Sequence, residues 1–213
     1  MNHGEPAYRP EDLTARMTAA GVSPQVQGEI LEVVAFHTYP APGILIGTFM
    51  VDWALDLLKA DRTEKLYAVC ETPKCLPDPI QVLAGCTTGN SRLRVVPIGK
   101  FALSMNRGSG EATTTAIRIF VDGEKLKKFP IIDLWYNNSP DFSKHTMTEP
   151  LLDEIFNAGR SILSQEQVRV RVTPKQKWRS VTCPTCGEAV PDYLIEGDHC
   201  AACGSMKYYE RIC

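Results

Sequence analysis

Four cysteines in the last part of the chain have the spacing of a metal site. They form two C-x-x-C-G motifs at residues 183–187 and 200–204, and thirteen residues separate the second cysteine from the third. Two such turns bring four thiolates into a tetrahedron, which suits Zn²⁺ at about 2.3 Å per Zn–S bond. The sequence therefore predicts a zinc ribbon, with iron in a four-thiolate site as the alternative. The predicted ligands are Cys183, Cys186, Cys200 and Cys203.

The metal at this site is expected to be structural. Four protein ligands leave no open coordination position for a substrate. A module of about 35 residues cannot bury enough apolar surface to fold unaided, so the binding energy of the metal becomes its folding energy.

A second group of reactive side chains lies in the first half of the chain. A neutral imidazole and thiolates are good ligands for a transition metal, and a carboxylate can orient a ligating histidine. His37, Cys75 and Cys86 are the candidate ligands, with Asp78 as support. The full set of candidates for a core metal or ligand site is His37, Cys75, Asp78, Cys86 and Thr87.

These segments carry a resemblance to a known family. The pattern runs from a cysteine through an aspartate and an Ile-Gln pair into Gly-Cys-Thr-x-Gly, and then to Gly-Lys. It is formed by Cys75, Asp78, Ile80, Gln81, Gly85, Cys86, Thr87, Gly89, Gly99 and Lys100. At these positions, and over roughly residues 20–125, the chain resembles the E-subunit family of formylmethanofuran dehydrogenase.

The resemblance implies a metal-binding accessory protein and a homodimer. It also implies a link to a molybdenum or tungsten formylmethanofuran dehydrogenase complex, and so to one-carbon metabolism related to methanogenesis. The family usually reads Phe-His-Gly-His-x-Cys-Pro-Gly at residues 36–43. His37 matches this pattern, but Tyr39 replaces the second histidine and Ala41 replaces the cysteine, so two ligands of a second transition metal are missing.

Two other functions fit the same residues. A thiol- or metal-dependent enzyme would use Cys75 or Cys86 as nucleophile, His37 as base and Lys100 as anion binder. A nucleic-acid-binding regulator, which is the less favoured interpretation, would use the ribbon together with a basic stretch that has no acidic residue. That stretch contains Arg169, Arg171, Lys175, Lys177 and Arg179.

The composition predicts a protein of the cytoplasm. The formal net charge of −2 creates no global field that draws the chain to nucleic acid or to an anionic membrane. The most apolar stretch, at residues 43–51, is too short to span a bilayer. The polar first residues lack the pattern of a signal peptide, so the eight cysteines are expected to be reduced.

Hydrophobic periodicity and turn signals predict an α+β fold, a mixed helix and sheet core followed by the small ribbon. Helices are expected at residues 10–20, 23–36, 44–59, 78–85 and 148–159, with Pro150 in the first turn of the last one. Strands are expected at residues 65–71, 93–97, 100–105, 114–121 and 167–173. The predicted domains are a core at residues 1–173 and the ribbon at residues 174–213.

Overall fold

The computed structural model describes residues 9–172, 176–210 and 212. The chain divides into two compact units, residues 1–172 and residues 173–213. Lys175, one member of the basic stretch, lies outside the described residues.

Seven α-helices form within the described residues, all of them in the first unit. None of them is long and apolar enough to cross a membrane. They are α1 (Pro10–Ala19), α2 (Pro24–His37), α3 (Pro42–Leu58), α4 (Pro77–Ala84), α5 (Gly123–Leu126), α6 (Pro130–Tyr136) and α7 (Lys144–Ala158).

A mixed five-stranded sheet has the order β2-β1-β3-β4-β5. The pair β1 and β2 is parallel, and the other neighbouring pairs are antiparallel. Residues that lie opposite one another share a face, so Ala68, Met105 and Ile117 form part of the apolar side. The strands are β1 (Leu66–Cys70), β2 (Leu93–Val95), β3 (Ala102–Arg107), β4 (Thr113–Val121) and β5 (Leu163–Arg171).

Helix α3 lies at the centre of the core, as its sequence predicts. Almost every residue from Gly43 to Leu55 is buried, and the helix packs against α2, α4, α7 and the sheet. Two glycines allow the close approach of α4 and the turn before it. A methyl group on Gly43 would lie 2.7 Å from Cys75 Cβ, and one on Gly47 would lie 2.7 Å from Pro79 Cγ.

The structure corrects the predicted elements in three places. Helix α7 begins at Lys144, so Pro150 lies inside it and not in its first turn. Strand β5 begins at Leu163, four residues before the predicted start, because it pairs along the whole length of β4. Helices α5 and α6 were not predicted, although Asp122 caps α5 by accepting hydrogen bonds from two backbone N–H groups.

The second unit contains two short hairpins. Strands β6 (Ser180–Thr182) and β7 (Ala189–Pro191) form the first, and β8 (Ile195–Glu196) and β9 (His199–Cys200) form the second. Together the two units give the predicted α+β core and a small four-cysteine module that fits a zinc ribbon.

Candidate metal centre and core site

The four cysteines of the module converge on one point. Their sulfur atoms all lie within 4.8 Å of one another, as a shared metal ion requires. Cys183 and Cys186 follow strand β6, whereas Cys200 ends β9 and Cys203 lies in the turn after it. The metal-ligand set predicted from the spacing is therefore brought together in three dimensions.

Each C-x-x-C-G turn is closed by backbone hydrogen bonds. Gly187 N–H donates to the carbonyl of Cys183, and Gly204 N–H donates to the carbonyl of Cys200. The two glycines serve different purposes. Gly187 has a φ of +76°, which favours glycine, whereas a methyl group on Gly204 would overlap the ring of His199.

The backbone prepares the cluster for negative charge. N–H groups of the first turn, led by that of Cys186, hold the pKa of the Cys183 thiol well below its ordinary value. The N–H of Cys200 also donates to the Cys183 sulfur at 3.2 Å. Burial and the neighbouring sulfurs raise the pKa of Cys203. Four thiolates this close repel one another unless a cation lies between them, so the site suits a divalent metal.

The module has almost no apolar core. Among its described residues, the buried hydrophobic side chains are Cys183, Cys200 and Ala201. Larger apolar side chains such as Tyr193, Met206 and Tyr208 are exposed. So little burial cannot offset the conformational entropy of ordering such a module, so its fold depends on a bound metal.

The core candidates centre on a histidine–carboxylate pair. His37 is the last residue of α2, and the left-handed residue Thr38 turns the chain directly after it. The Nδ1–H of His37 donates to Asp78 Oδ2 over 2.6 Å. Asp78 lies in the first turn of α4, and no side chain caps that helix. This carboxylate therefore holds the imidazole.

The other ring nitrogen of His37 is left for a ligand. Its Nε2 atom is buried and, within the described part of the chain, has no hydrogen-bond partner. The ring of Tyr39 lies 4.8 Å from the imidazole, centroid to centroid. A carboxylate on Nδ1 and a free Nε2 is the arrangement by which proteins orient a histidine towards a metal.

Cys75 lies on the tight turn before α4. Its φ of +54° is left-handed, and its sulfur packs against Gly43. Burial, and then the charge of Asp78, raise the pKa of the Cys75 thiol. At neutral pH the group is therefore a thiol, which is a poor nucleophile and a poor metal ligand.

The remaining core candidates are occupied or remote. Cys86 is fully buried, and burial raises its pKa to about 11. Thr87 exchanges hydrogen bonds with Asn90, each accepting from the backbone N–H of the other, and so closes its own loop. Lys100 is exposed, and its charge contributes to the lowered pKa of Glu71.

The predicted core residues are thus only partly assembled. His37 and Asp78 are in contact, and the backbone N–H of Asp78 donates to the carbonyl of Cys75. Across residues 9–172, 176–210 and 212, however, the four-cysteine group is the one set of three or more His, Cys, Asp or Glu side chains placed to share a metal ion.

Sequence reasoning missed a polar cavity of about 410 Å³ between α2, α3 and the loop after α3. Two of its lining residues, Glu29 and Asp52, are buried carboxylic acids. The available signal was the presence of an acidic residue on the buried face of each of two otherwise apolar helices.

Comparison with known proteins places these sites in context. The chain matches the family model described as FmdE, Molybdenum formylmethanofuran dehydrogenase operon, over residues 36–171. That range includes His37, Cys75, Asp78, Cys86 and Lys100, and it ends before the four-cysteine module.

Two individual proteins are similar. A solved FmdE-like protein of tungsten formylmethanofuran dehydrogenase, from Syntrophus aciditrophicus, is 33% identical, with a TM-score of 0.68, and the match covers 98% of this chain and 100% of that chain. A probable S-adenosyl-L-methionine-binding protein of Archaeoglobus fulgidus is 29% identical over 106 residues, or 47% of this chain. The match spans 28% of the length of that relative.

Proposed function

Because the chain belongs to the FmdE family, the family of the molybdenum formylmethanofuran dehydrogenase operon, we propose that it is a metal-binding accessory protein. The enzyme system that it serves would be a molybdenum or tungsten formylmethanofuran dehydrogenase. The FmdE-like protein of Syntrophus aciditrophicus, which is similar over 98% of the chain, supports this assignment. Delivery, scaffolding or sensing fits the chain better than formyl oxidation, because a closed four-thiolate site has no position for a substrate.

The observation that carries the proposal is the convergence of four cysteine sulfurs within 4.8 Å in a module with almost no apolar core. We assign Zn²⁺ to this site because it accepts four thiolates in a tetrahedron and undergoes no redox change. The ion would act structurally, holding the two hairpins together.

The core takes a second, weaker ligand in this proposal. His37 fits a transition metal through its buried Nε2, since Asp78 fixes the ring. Tyr39 and Ala41 supply no further ligand of the usual kind, and Cys75 is held as a thiol. A metal bound at His37 would therefore complete its coordination with water or a small ligand and exchange faster than the metal of the module.

The assembly and location belong to the same proposal. We expect a homodimer in the cytoplasm, where thiols stay reduced. The seven described cysteines are free, which is compatible with a reducing compartment.

The thiol-enzyme alternative has less support. Its two candidate nucleophiles, Cys75 and Cys86, both have a raised pKa because they are buried. A reactive cysteine instead needs a lowered pKa and access to solvent. For the nucleic-acid alternative, the exposed Arg169 and Arg171 lie at the end of edge strand β5, and no bound phosphate or groove distinguishes them from a solvated strand end among the described residues.

Metal content per chain tests the proposal. We expect about one zinc per chain in the wild type purified without added metal, none in Cys200→Ser, and one in the control Cys70→Ala, since Cys70 lies in β1. A His37→Ala, Cys75→Ala double variant tests the core. A second metal in the wild type that is lost in this variant would establish the core site. A Cys200→Ser protein that retains its full metal content would refute the ribbon assignment.

A further inference from the structure

The cavity between α2 and α3 contains a carboxylate that the fold leaves unsatisfied. Glu29 lines the cavity and is only 5% exposed. Its Oε1 accepts a hydrogen bond from Gln25 over 3.2 Å. Its Oε2 is buried and, among the residues described, has no hydrogen-bond partner. An unpaired buried carboxylate oxygen is rare in folded proteins, so it calls for a partner that completes the site.

The surroundings of Glu29 add more negative charge than the fold neutralises. Asp52, Asp56 and Asp61 also line the cavity. Arg160 is engaged with both Asp52 and Asp56, donating to Asp56 over 2.6 Å. Arg62, the basic residue of the cavity wall, is held by Glu32 through two hydrogen bonds of 3.2 and 2.6 Å. Both arginines are therefore engaged with other carboxylates, and Glu29 remains without a cation of its own.

The carboxylate of Glu29 is also unfavourable for the fold as it stands. Burial raises its pKa, and the nearby charge of Asp52 raises it further. Burial likewise raises the pKa of Asp52 despite the hydrogen bond from Arg160. Groups that lower stability in this way are characteristic of binding sites, where a ligand supplies what the fold lacks.

We propose that this cavity binds a small organic cation through an ammonium or guanidinium group that donates hydrogen bonds to Glu29 Oε2. The cavity volume of about 410 Å³ lies in the range of small-molecule sites. Leu55 and Ala60 give it apolar wall for the carbon skeleton of the ligand.

A bare metal ion fits the cavity less well than an organic cation. No three of its carboxylates are placed to share an ion, since the one such group in the described part of the chain is that of the cysteines. An ammonium or guanidinium group needs only one or two acceptors at hydrogen-bond distance, and it carries a skeleton that fills the remaining volume.

The cavity is separate from the histidine pair of the core. Glu29 and His37 lie on the same helix, and eight residues separate them, or roughly 12 Å along its axis. Binding at Glu29 therefore goes beyond the metal-binding function proposed above, and either can fail without the other.

The test uses butylammonium and butylguanidinium chlorides as probes, titrated into the isotope-labelled full chain and followed by NMR. We expect saturable shifts at the backbone amides of Gln25, Glu29 and Leu55. Butanol and butyrate, which match the probes in size but lack positive charge, should produce none. This mapping needs no variant, so it stands even where a substitution impairs folding.

Two variants then assign the charge. Glu29→Gln removes the carboxylate at nearly constant shape and should weaken the affinity for butylguanidinium by at least about tenfold, as the loss of a buried charged hydrogen bond implies. Glu124→Gln is the matched control, because Glu124 is exposed on α5 and should leave the affinity unchanged.

Three results would overturn the proposal. They are the absence of saturable shifts at these amides with either cationic probe, equal affinity in Glu29→Gln and wild type, and saturation of the same amides by Mg²⁺ or Ca²⁺ while both organic cations leave them unmoved.

Discussion

The imidazole of His37 and the carboxylate of Asp78 are joined across two helices by a hydrogen bond of 2.6 Å between Nδ1 and Oδ2. His37 ends α2 and Asp78 lies in the first turn of α4, so the bond fixes the end of one helix to the start of the other. An ionised carboxylate only accepts, so the ring proton is on Nδ1 and the lone pair on Nε2.

The first prediction concerns this pair. Asp78→Asn replaces a charged acceptor by a neutral amide, which can pair with either tautomer of His37. We expect the free energy of unfolding to fall by about 1 kcal/mol, the usual net value of such a bond. Nitrogen NMR shifts of the imidazole should change from a single Nδ1–H tautomer to a mixture. Asp141→Asn is the control, because Asp141 is exposed. An unchanged tautomer in Asp78→Asn would show that another group sets the ring.

The second prediction concerns the approach of α3 to Cys75. In Gly43→Ala the new methyl group would lie 2.7 Å from Cys75 Cβ and 3.0 Å from its sulfur, so the turn must move. Overpacking of this kind costs about 1–3 kcal/mol, which urea unfolding would measure.

Gly28→Ala provides the matched control. Gly28 lies inside α2, and a methyl group there meets nothing within 4 Å. Alanine is the better helix former, so this variant should gain about 0.5–1 kcal/mol. Equal effects of the two substitutions would contradict the role of close packing at Gly43.

Much of the fold could be predicted from local signals. The apolar run of α3 and its two glycines predicted a central helix with a close neighbour, and the structure places α4 there. The extent of β5 could not be predicted, because pairing with β4 extends the strand into polar residues such as Gln165 and Glu166. Pro150 suggested a helix start, yet four buried residues beyond it (Leu151, Leu152, Ile155 and Phe156) hold the helix through it.

The sites differ in the same way. The spacing of the four cysteines alone was enough to predict their convergence, because both turns are local. The contact between His37 and Asp78 joins residues 41 positions apart and depends on the packing of α2 against α4. The cavity at Glu29 has no motif, since it arises only where two helices and a loop meet.

The third prediction concerns the removal of metal. A strong chelator should unfold the four-cysteine module, because its described residues include few buried apolar side chains. The amide NMR signals of residues 176–210 should collapse towards random-coil positions, and added Zn²⁺ should restore them. The signals of β1 and β3 should stay dispersed, since the first unit has its own hydrophobic core. Unchanged module signals after confirmed metal loss would show that the metal is not needed for folding.

The last prediction compares two glutamates of α2 whose pKa values move in opposite directions. Burial raises the pKa of Glu29 above the ordinary value of 4.5. A hydrogen bond from Arg62 lowers the pKa of Glu32 below it. The contribution of Glu29 to stability is present below pH 4.5 and is lost as the pH rises through its raised value. That of Glu32 is present above pH 4.5 and is lost as the pH falls through its lowered value.

At pH 7 the two substitutions should therefore act in opposite directions. Glu29→Gln removes a buried charge and should raise the free energy of unfolding by about 1–3 kcal/mol. Glu32→Gln removes an exposed ion pair and should lower it by roughly 0–1 kcal/mol. Urea unfolding from pH 4 to pH 8 measures both, and the gain in Glu29→Gln should shrink towards pH 4. A Glu29→Gln protein that is less stable than the wild type at pH 7 would mean that the carboxylate is already satisfied in the folded chain.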